Sequence, residues 1–129
     1  MSKQFKLEII SPEKIIYSSE PTEVVIPSYE GYMTILYDHS ALITFLRPGV
    51  IEVKGNETKK YFIEEGTVEF SDNKMLILTN TTIDIKELNK EKIDKMIELN
   101  QKILREGDLN DKKKFILSHK VEVLRMINQ

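Results

Sequence analysis

Glu30-Gly31-Tyr32-Met33-Thr34-Ile35, followed closely by Asp38-His39-Ser40-Ala41-Leu42-Ile43-Thr44-Phe45-Leu46-Arg47-Pro48-Gly49-Val50-Ile51, decides how this chain is read. It combines a glycine turn, a lone histidine, a short apolar run and an Arg-Pro-Gly turn. Strand-length apolar runs bounded by turn residues predict β-structure. Pro48-Gly49 suits the central positions of a type II turn, where proline presets φ and glycine accepts φ > 0. The stretch reads as a β-rich docking surface rather than a catalytic loop.

Working outward, Phe5, Leu7 and Ile9 alternate with Lys6 and Glu8, the period-two pattern of a half-buried strand. Further β-prone runs are Glu23–Ile26, Ala41–Phe45, Val50–Val53, Tyr61–Ile63, Thr67–Phe70 and Met75–Leu78, with Ile15–Tyr17 and Met33–Leu36 as additional strands. Gly55-Asn56 and Ser71-Asp72-Asn73 fall at hairpin positions between them. Many short strands at close spacing predict a sandwich or flattened barrel.

Near Lys86 the period changes. Ile93, Met96, Ile97, Asn100, Ile103 and Leu104 recur three and four apart and share one helical face. Asp84 (with Glu87 three residues on) or Asn89 can cap the start, and Gly107 is a C-terminal stop. Asn110 or Asp111 can cap a second helix, striped by Ile116, Leu117, Val121, Leu124 and Ile127 or Asn128. The short linker predicts an antiparallel hairpin. Two helices of this length bury too little to stand alone, so the hairpin must lean on the β-part or on a partner. The division falls at residues 1–85 and 86–129.

The 129 residues fit one domain, or one small domain with an appendage; 40% are apolar and 31% charged, enough for a core in a soluble chain. No apolar run reaches membrane-spanning length, and no leader is evident. The chain is expected to be cytoplasmic and to meet a membrane only through partners. The net charge of −2 divides into −5 over residues 1–85 and +3 over residues 86–129, so the two parts should have different partners. The tail is too mildly basic, and too poor in surface aromatics, for nucleic acid.

The residues also argue against an enzyme. With no cysteine, thiolate zinc sites and thiol catalysis are removed. His39 and His119 lie far apart in sequence, in no metal spacing. His39 reads as a structural or interface residue and His119 as a surface one. Glu64-Glu65 on a strand would point to opposite faces, a poor acid–base couple. Lys112-Lys113-Lys114 reads as a solvated helix start. No phosphate-binding glycine loop or nucleophile elbow is present, so a small hydrolase is excluded for want of a nucleophile–base constellation.

Nearly the full chain, in collinear order, resembles the epsilon subunit of bacterial F-type ATP synthases. The family pattern opens with Ser-x-Glu, here Ser11-Pro12-Glu13. Its Glu-Gly-x-x-Gly-Ile is matched by Glu30-Gly31-Tyr32-Met33-Thr34-Ile35, and its His-x-Pro-Leu-Leu-Thr by His39-Ser40-Ala41-Leu42-Ile43-Thr44. Pro-Gly-x-Ile appears as Pro48-Gly49-Val50-Ile51, and Gly-x-x-Glu-Val as Gly66-Thr67-Val68-Glu69-Phe70. The resemblance implies a ten-stranded β-sandwich followed by an antiparallel helical hairpin, in a non-catalytic subunit. It implies binding to the gamma subunit and the c-ring through the sandwich, and coupling of rotation to ATP synthesis. The hairpin would be regulatory, reaching the alpha/beta hexamer and restraining ATP hydrolysis. The location implied is peripheral, on the cytoplasmic face of the bacterial plasma membrane.

Carried over position by position, Glu30, Gly31, Tyr32 and Met33 fall on the c-ring-facing loop. His39, Leu42 and Ile43 fall near the gamma and c-ring contacts. Thr34 replaces a glycine of the pattern, Ala41 a proline, and Tyr32 a position often acidic. Some members bind ATP through Ile/Leu-Asp-x-x-Arg-Ala; here Leu88-Asn89-Lys90-Glu91-Lys92-Ile93 lacks the carboxylate, the guanidinium fork and the small residue, so weak or no ATP binding and no cofactor are expected. The alternative from another class is a stand-alone β-sandwich adaptor with a partner-binding hairpin.

Overall fold

The computed structural model describes residues 3–127. Ten strands come first: β1 (Lys6–Ile10), β2 (Ile15–Ser19), β3 (Glu23–Ser28), β4 (Gly31–Leu36), β5 (Leu42–Leu46), β6 (Gly49–Lys54), β7 (Thr58–Ile63), β8 (Gly66–Ser71), β9 (Lys74–Thr79) and β10 (Thr82–Asp84). A 3-10 turn at Ile85–Glu87 leads into α1 (Lys90–Glu106) and α2 (Asp111–Ile127).

The sheet runs β10-β7-β6-β3-β5-β8-β9-β1-β2, with β4 on the other side of β3. Strands β3 and β5 share only the pair Ser28↔Leu46, and there the sheet folds over into two layers. One layer holds β4, β3, β6, β7 and β10; the other holds β5, β8, β9, β1 and β2. All pairings are antiparallel except β1 with β9. Alternation places Leu7, Ile9, Val68, Phe70, Met75 and Ile77 opposite Val24, Ile26, Ile35, Ile51, Val53 and Ile63 in one buried core.

Strand β7 is buried on both sides. Tyr61 and Ile63 face the sandwich core, while Phe62 faces outward and is fully covered by the helices. Around Phe62 gather Val50, Ile83, Ile93, Met96, Val123 and Leu124. The hairpin thus leans on the β-part. The seam also holds Asn100, only 3% exposed, whose Nδ2 donates to the Met96 carbonyl.

The caps divide the work. Asp84 accepts from the Lys86 N–H at the 3-10 turn, Asn89 from Lys92 at α1, and Asn110 from Lys113 at α2. The hairpin turn 72–73 has positive φ at both Asp72 and Asn73.

Several expectations are corrected. Gly49 is not in a left-handed turn. It opens β6, and a Cβ there would lie 2.5 Å from Pro27 Cβ, so close approach explains the glycine. Gly107 does end α1, its N–H donating to the Ile103 carbonyl, but at φ −82° rather than in a left-handed cap, and a Cβ there would lie 2.6 Å from that carbonyl oxygen. Ile103 is more exposed than a seam residue should be. Glu64 and Glu65 occupy the turn between β7 and β8 rather than a strand. Strand β10 lacks any apolar alternation and is made by pairing with β7. Asn128, one candidate for the second helix's stripe, lies outside the described residues.

Candidate docking site

The glycine turn and the Arg-Pro-Gly turn of the opening stretch lie side by side at one end of the sandwich. Strands β3 and β4 are joined by a two-residue turn, Tyr29-Glu30, with Ser28 paired to Gly31. The buried Ser28 Oγ donates to the Gly31 carbonyl at 2.6 Å. Gly31 has φ +126°, a conformation that a side chain would strain. From the turn between β5 and β6, Arg47 Nε donates to the Ser28 carbonyl, and its guanidinium lies 5.2 Å from the Tyr32 ring centroid. The Val50 N–H donates to the Tyr32 hydroxyl at 3.4 Å. Glu30, Gly31 and Tyr32 therefore sit on a braced rim. Met33, Leu42 and Ile43 join Tyr29, Glu30 and Phe45 along an open groove running from it.

His39 is placed elsewhere, in the turn at the opposite end of β4, about 17 Å along the strand from the rim. Its Nδ1 lies 2.8 Å from the Ser40 carbonyl oxygen, and its ring meets Phe70 edge-on at 6.0 Å. These are a positioned ring's contacts, one to a backbone carbonyl and one to an aromatic edge. Among the described residues, no group of three or more His, Asp or Glu is arranged to hold a metal ion.

A second feature was not read from the sequence. On the outer face of the β5-β8-β9-β1-β2 layer, Phe45 lies across from Thr67, then Leu78, Ile10 and Ile15 in one row over five strands. Ile43 is 76% exposed, Phe45 64%, Ile15 60% and Leu78 42%. The signal was available: Leu42-Ile43-Thr44-Phe45-Leu46 is apolar on both faces of a strand, which calls for cover on both.

Tyr29, in the turn before Glu30, makes a contact that no local pattern marks. Its ring stacks on Phe115 of α2, with centroids 6.1 Å apart and planes 17° apart, and Phe115 in turn meets His119 at 4.2 Å. Burial, then the Glu65 carboxylate, raises the Tyr29 hydroxyl above its ordinary pKa. His119 is half-buried rather than a plain surface residue. Next to it, Lys120 pairs with Glu64.

This β-sandwich with an appended hairpin has clear relatives. Residues 4–85 match the family model described as ATP synthase, Delta/Epsilon chain, beta-sandwich domain. The ATP synthase epsilon chain of Pelagibacter ubique (strain HTCC1062) is 40% identical over an alignment covering 99% of this chain and 100% of that protein. That of Rhizobium etli (strain ATCC 51251) is 31% identical, covering 88% of this chain and 85% of that one. Among solved structures, a chain of the Euglena gracilis mitochondrial ATP synthase superposes with a TM-score of 0.77 at 20% identity, covering 95% of this chain and 78% of its own length. This chain belongs to the ATP synthase epsilon-chain family. As such it is a structural and regulatory subunit of a membrane-associated complex, not a catalytic one. No helix among the described residues is long and apolar enough to cross a membrane.

Proposed function

We propose that this subunit couples rotation of the c-ring to ATP synthesis by gripping gamma with its outer sheet face and meeting the c-ring with its rim. The observation that carries this reading is the apolar row Phe45, Leu78, Ile10 and Ile15, with Ile43 beside it. Exposed apolar surface spread over five strands calls for a protein partner. The rim is a different surface: Tyr29, Glu30 and Tyr32 project at one end of the sandwich, on a turn braced by Arg47 and Ser28. A rigid end surface suits a contact that must carry torque from the polar loops of the c-ring. The basic hairpin supports a regulatory role toward an acidic segment of the alpha/beta hexamer, through salt-sensitive attraction. The subunit would then be peripheral, on the cytoplasmic face of the bacterial plasma membrane, and would reach it only through partners.

Titration of the full chain against purified gamma tests the assignment. Phe45→Asp is expected to weaken gamma binding at least tenfold with an unchanged circular dichroism spectrum, whereas Tyr32→Ala should weaken capture of the c-ring and leave gamma binding intact. Full gamma affinity in Phe45→Asp would defeat the outer-face assignment. Failure of the unmodified chain to bind gamma would leave a stand-alone adaptor as the better reading.

A further inference from the structure

The hairpin touches the sandwich through two unlike patches. The first is the buried cluster around Phe62, Ile93, Val123 and Leu124. The second lies over the first half and middle of α2, where Phe115 stacks on Tyr29 and Lys120 pairs with Glu64. Both rings of the second patch are more than 40% exposed, so the contact can break without opening a core. The sandwich side of the ion pair is itself fixed: the Thr79 hydroxyl donates to the Glu65 carbonyl at 2.7 Å and holds the turn that carries Glu64.

Tyr29 belongs to both this patch and the rim. It is one of only two residues in the β3–β4 turn, and its neighbour in that turn is Glu30. The turn has no slack, because Ser28 Oγ is bonded to the Gly31 carbonyl and Gly31 is held at φ +126°. A partner loop that packs on the Tyr29 ring, or displaces the turn, must also move the ring from Phe115.

We propose that the Tyr29–Phe115 stack is a coupling latch, through which occupancy of the rim by the c-ring loosens the first half of α2. This rests on the reading of the rim as a c-ring docking surface. The coupling is reciprocal, so a latched hairpin lowers the affinity of the rim for the c-ring by the same factor that the c-ring loosens the helix. One exposed aromatic pair sets that factor at about three- to tenfold.

Hydrogen exchange on the full chain tests it. Tyr29→Ala should raise amide exchange over residues 112–120 about three- to tenfold, while strands β8 and β9 keep their protection. Tyr29→Phe, which retains the ring, should behave as the unmodified chain. Adding detergent-solubilised c-ring should raise exchange over the same residues, and Phe115→Ala should bind the c-ring about three- to tenfold more tightly than the unmodified chain. Unchanged exchange in both Tyr29→Ala and Phe115→Ala would overturn the latch. Binding of the c-ring with no change over residues 112–120 would overturn the coupling and leave the rim assignment standing. Absence of c-ring binding in every variant would remove the rim assignment, and the coupling with it.

Discussion

Asp38 and Asn73 clasp one another from two different turns. The Asp38 N–H donates to Asn73 Oδ1 at 2.6 Å, and Asn73 Nδ2 donates to Asp38 Oδ1 at 2.8 Å. Both residues have positive φ, 63° and 57°. The Asn73 carbonyl also accepts from the Lys6 N–H, which brings β1 into the same junction. Asn73→Ala should lower stability by about 2 kcal/mol, from two lost hydrogen bonds and from left-handed backbone that alanine tolerates less well than asparagine. Asn73→Gly, freed of the second cost, should lose about half as much. Urea denaturation of both variants checks the ratio, and equal losses would contradict it.

Two glycines should respond to alanine for different reasons. At Gly49 the new methyl group would press on the Pro27 ring, and overpacking of this kind costs about 1–3 kcal/mol. At Gly31 nothing lies within 4 Å, and the cost is backbone strain, again about 1–3 kcal/mol. Adding Pro27→Gly, which removes both ring carbons that the methyl group would meet, should recover part of the loss in Gly49→Ala and none in Gly31→Ala. Thermal melts of the two double variants separate the causes.

Phe62→Ala removes the ring that α1 and α2 jointly cover. A loss of about 3–5 kcal/mol is expected, concentrated in the hairpin's attachment. The far-ultraviolet helical signal should then melt at lower denaturant than the strands. A single coincident transition at the original midpoint would refute this.

Stability should decline at alkaline pH. The Tyr61 hydroxyl is pushed up to about 12 by burial, then by Tyr17, Asp84, Glu57 and Glu87. The folded chain therefore holds this proton more tightly than the unfolded chain, where tyrosine titrates near ~10. The stabilising contribution is whole below about pH 10 and is lost as pH rises toward 12. Lys54, raised by its bond to Glu23, acts in the same direction. Tyr61→Phe should flatten the fall in urea midpoint across this range, leaving the shares of Lys54 and of Tyr29, whose hydroxyl is also raised by burial and then by Glu65.

Isothermal titration with ATP should give no micromolar affinity. The Asn89 side chain is engaged in capping α1, and Ile93 is buried under the sheet, so neither position offers a polar group to a nucleotide. Micromolar binding would require another site.

Local pattern located nine of the ten strands, because their alternation is a direct image of the buried core. It could not locate Thr82–Asp84, a strand only because β7 lies beside it. Asp72-Asn73 was legible as a turn, since the residues that tolerate positive φ are few. Gly49 was misassigned because its constraint comes from Pro27, on a strand distant in sequence. For the same reason, Tyr29 gave no sign of its partner Phe115. The candidate site was thus legible where one loop makes it and illegible where two elements must meet.

The parallel seam between β1 and β9 bears on how the chain is made. On the ribosome β1 emerges first, but its inner neighbour β9 arrives only after the seven strands β2 to β8 have been translated. Until then β1 can hold β2 and nothing else, and the two form a hairpin with an open edge. The layer that holds β1 cannot be completed from the N-terminus, because its inner pairing needs Lys74–Thr79 beside Lys6–Ile10. Biogenesis of the rotor would then wait on that insertion, and a nascent-chain pause before β9 would leave a sticky, unfinished subunit.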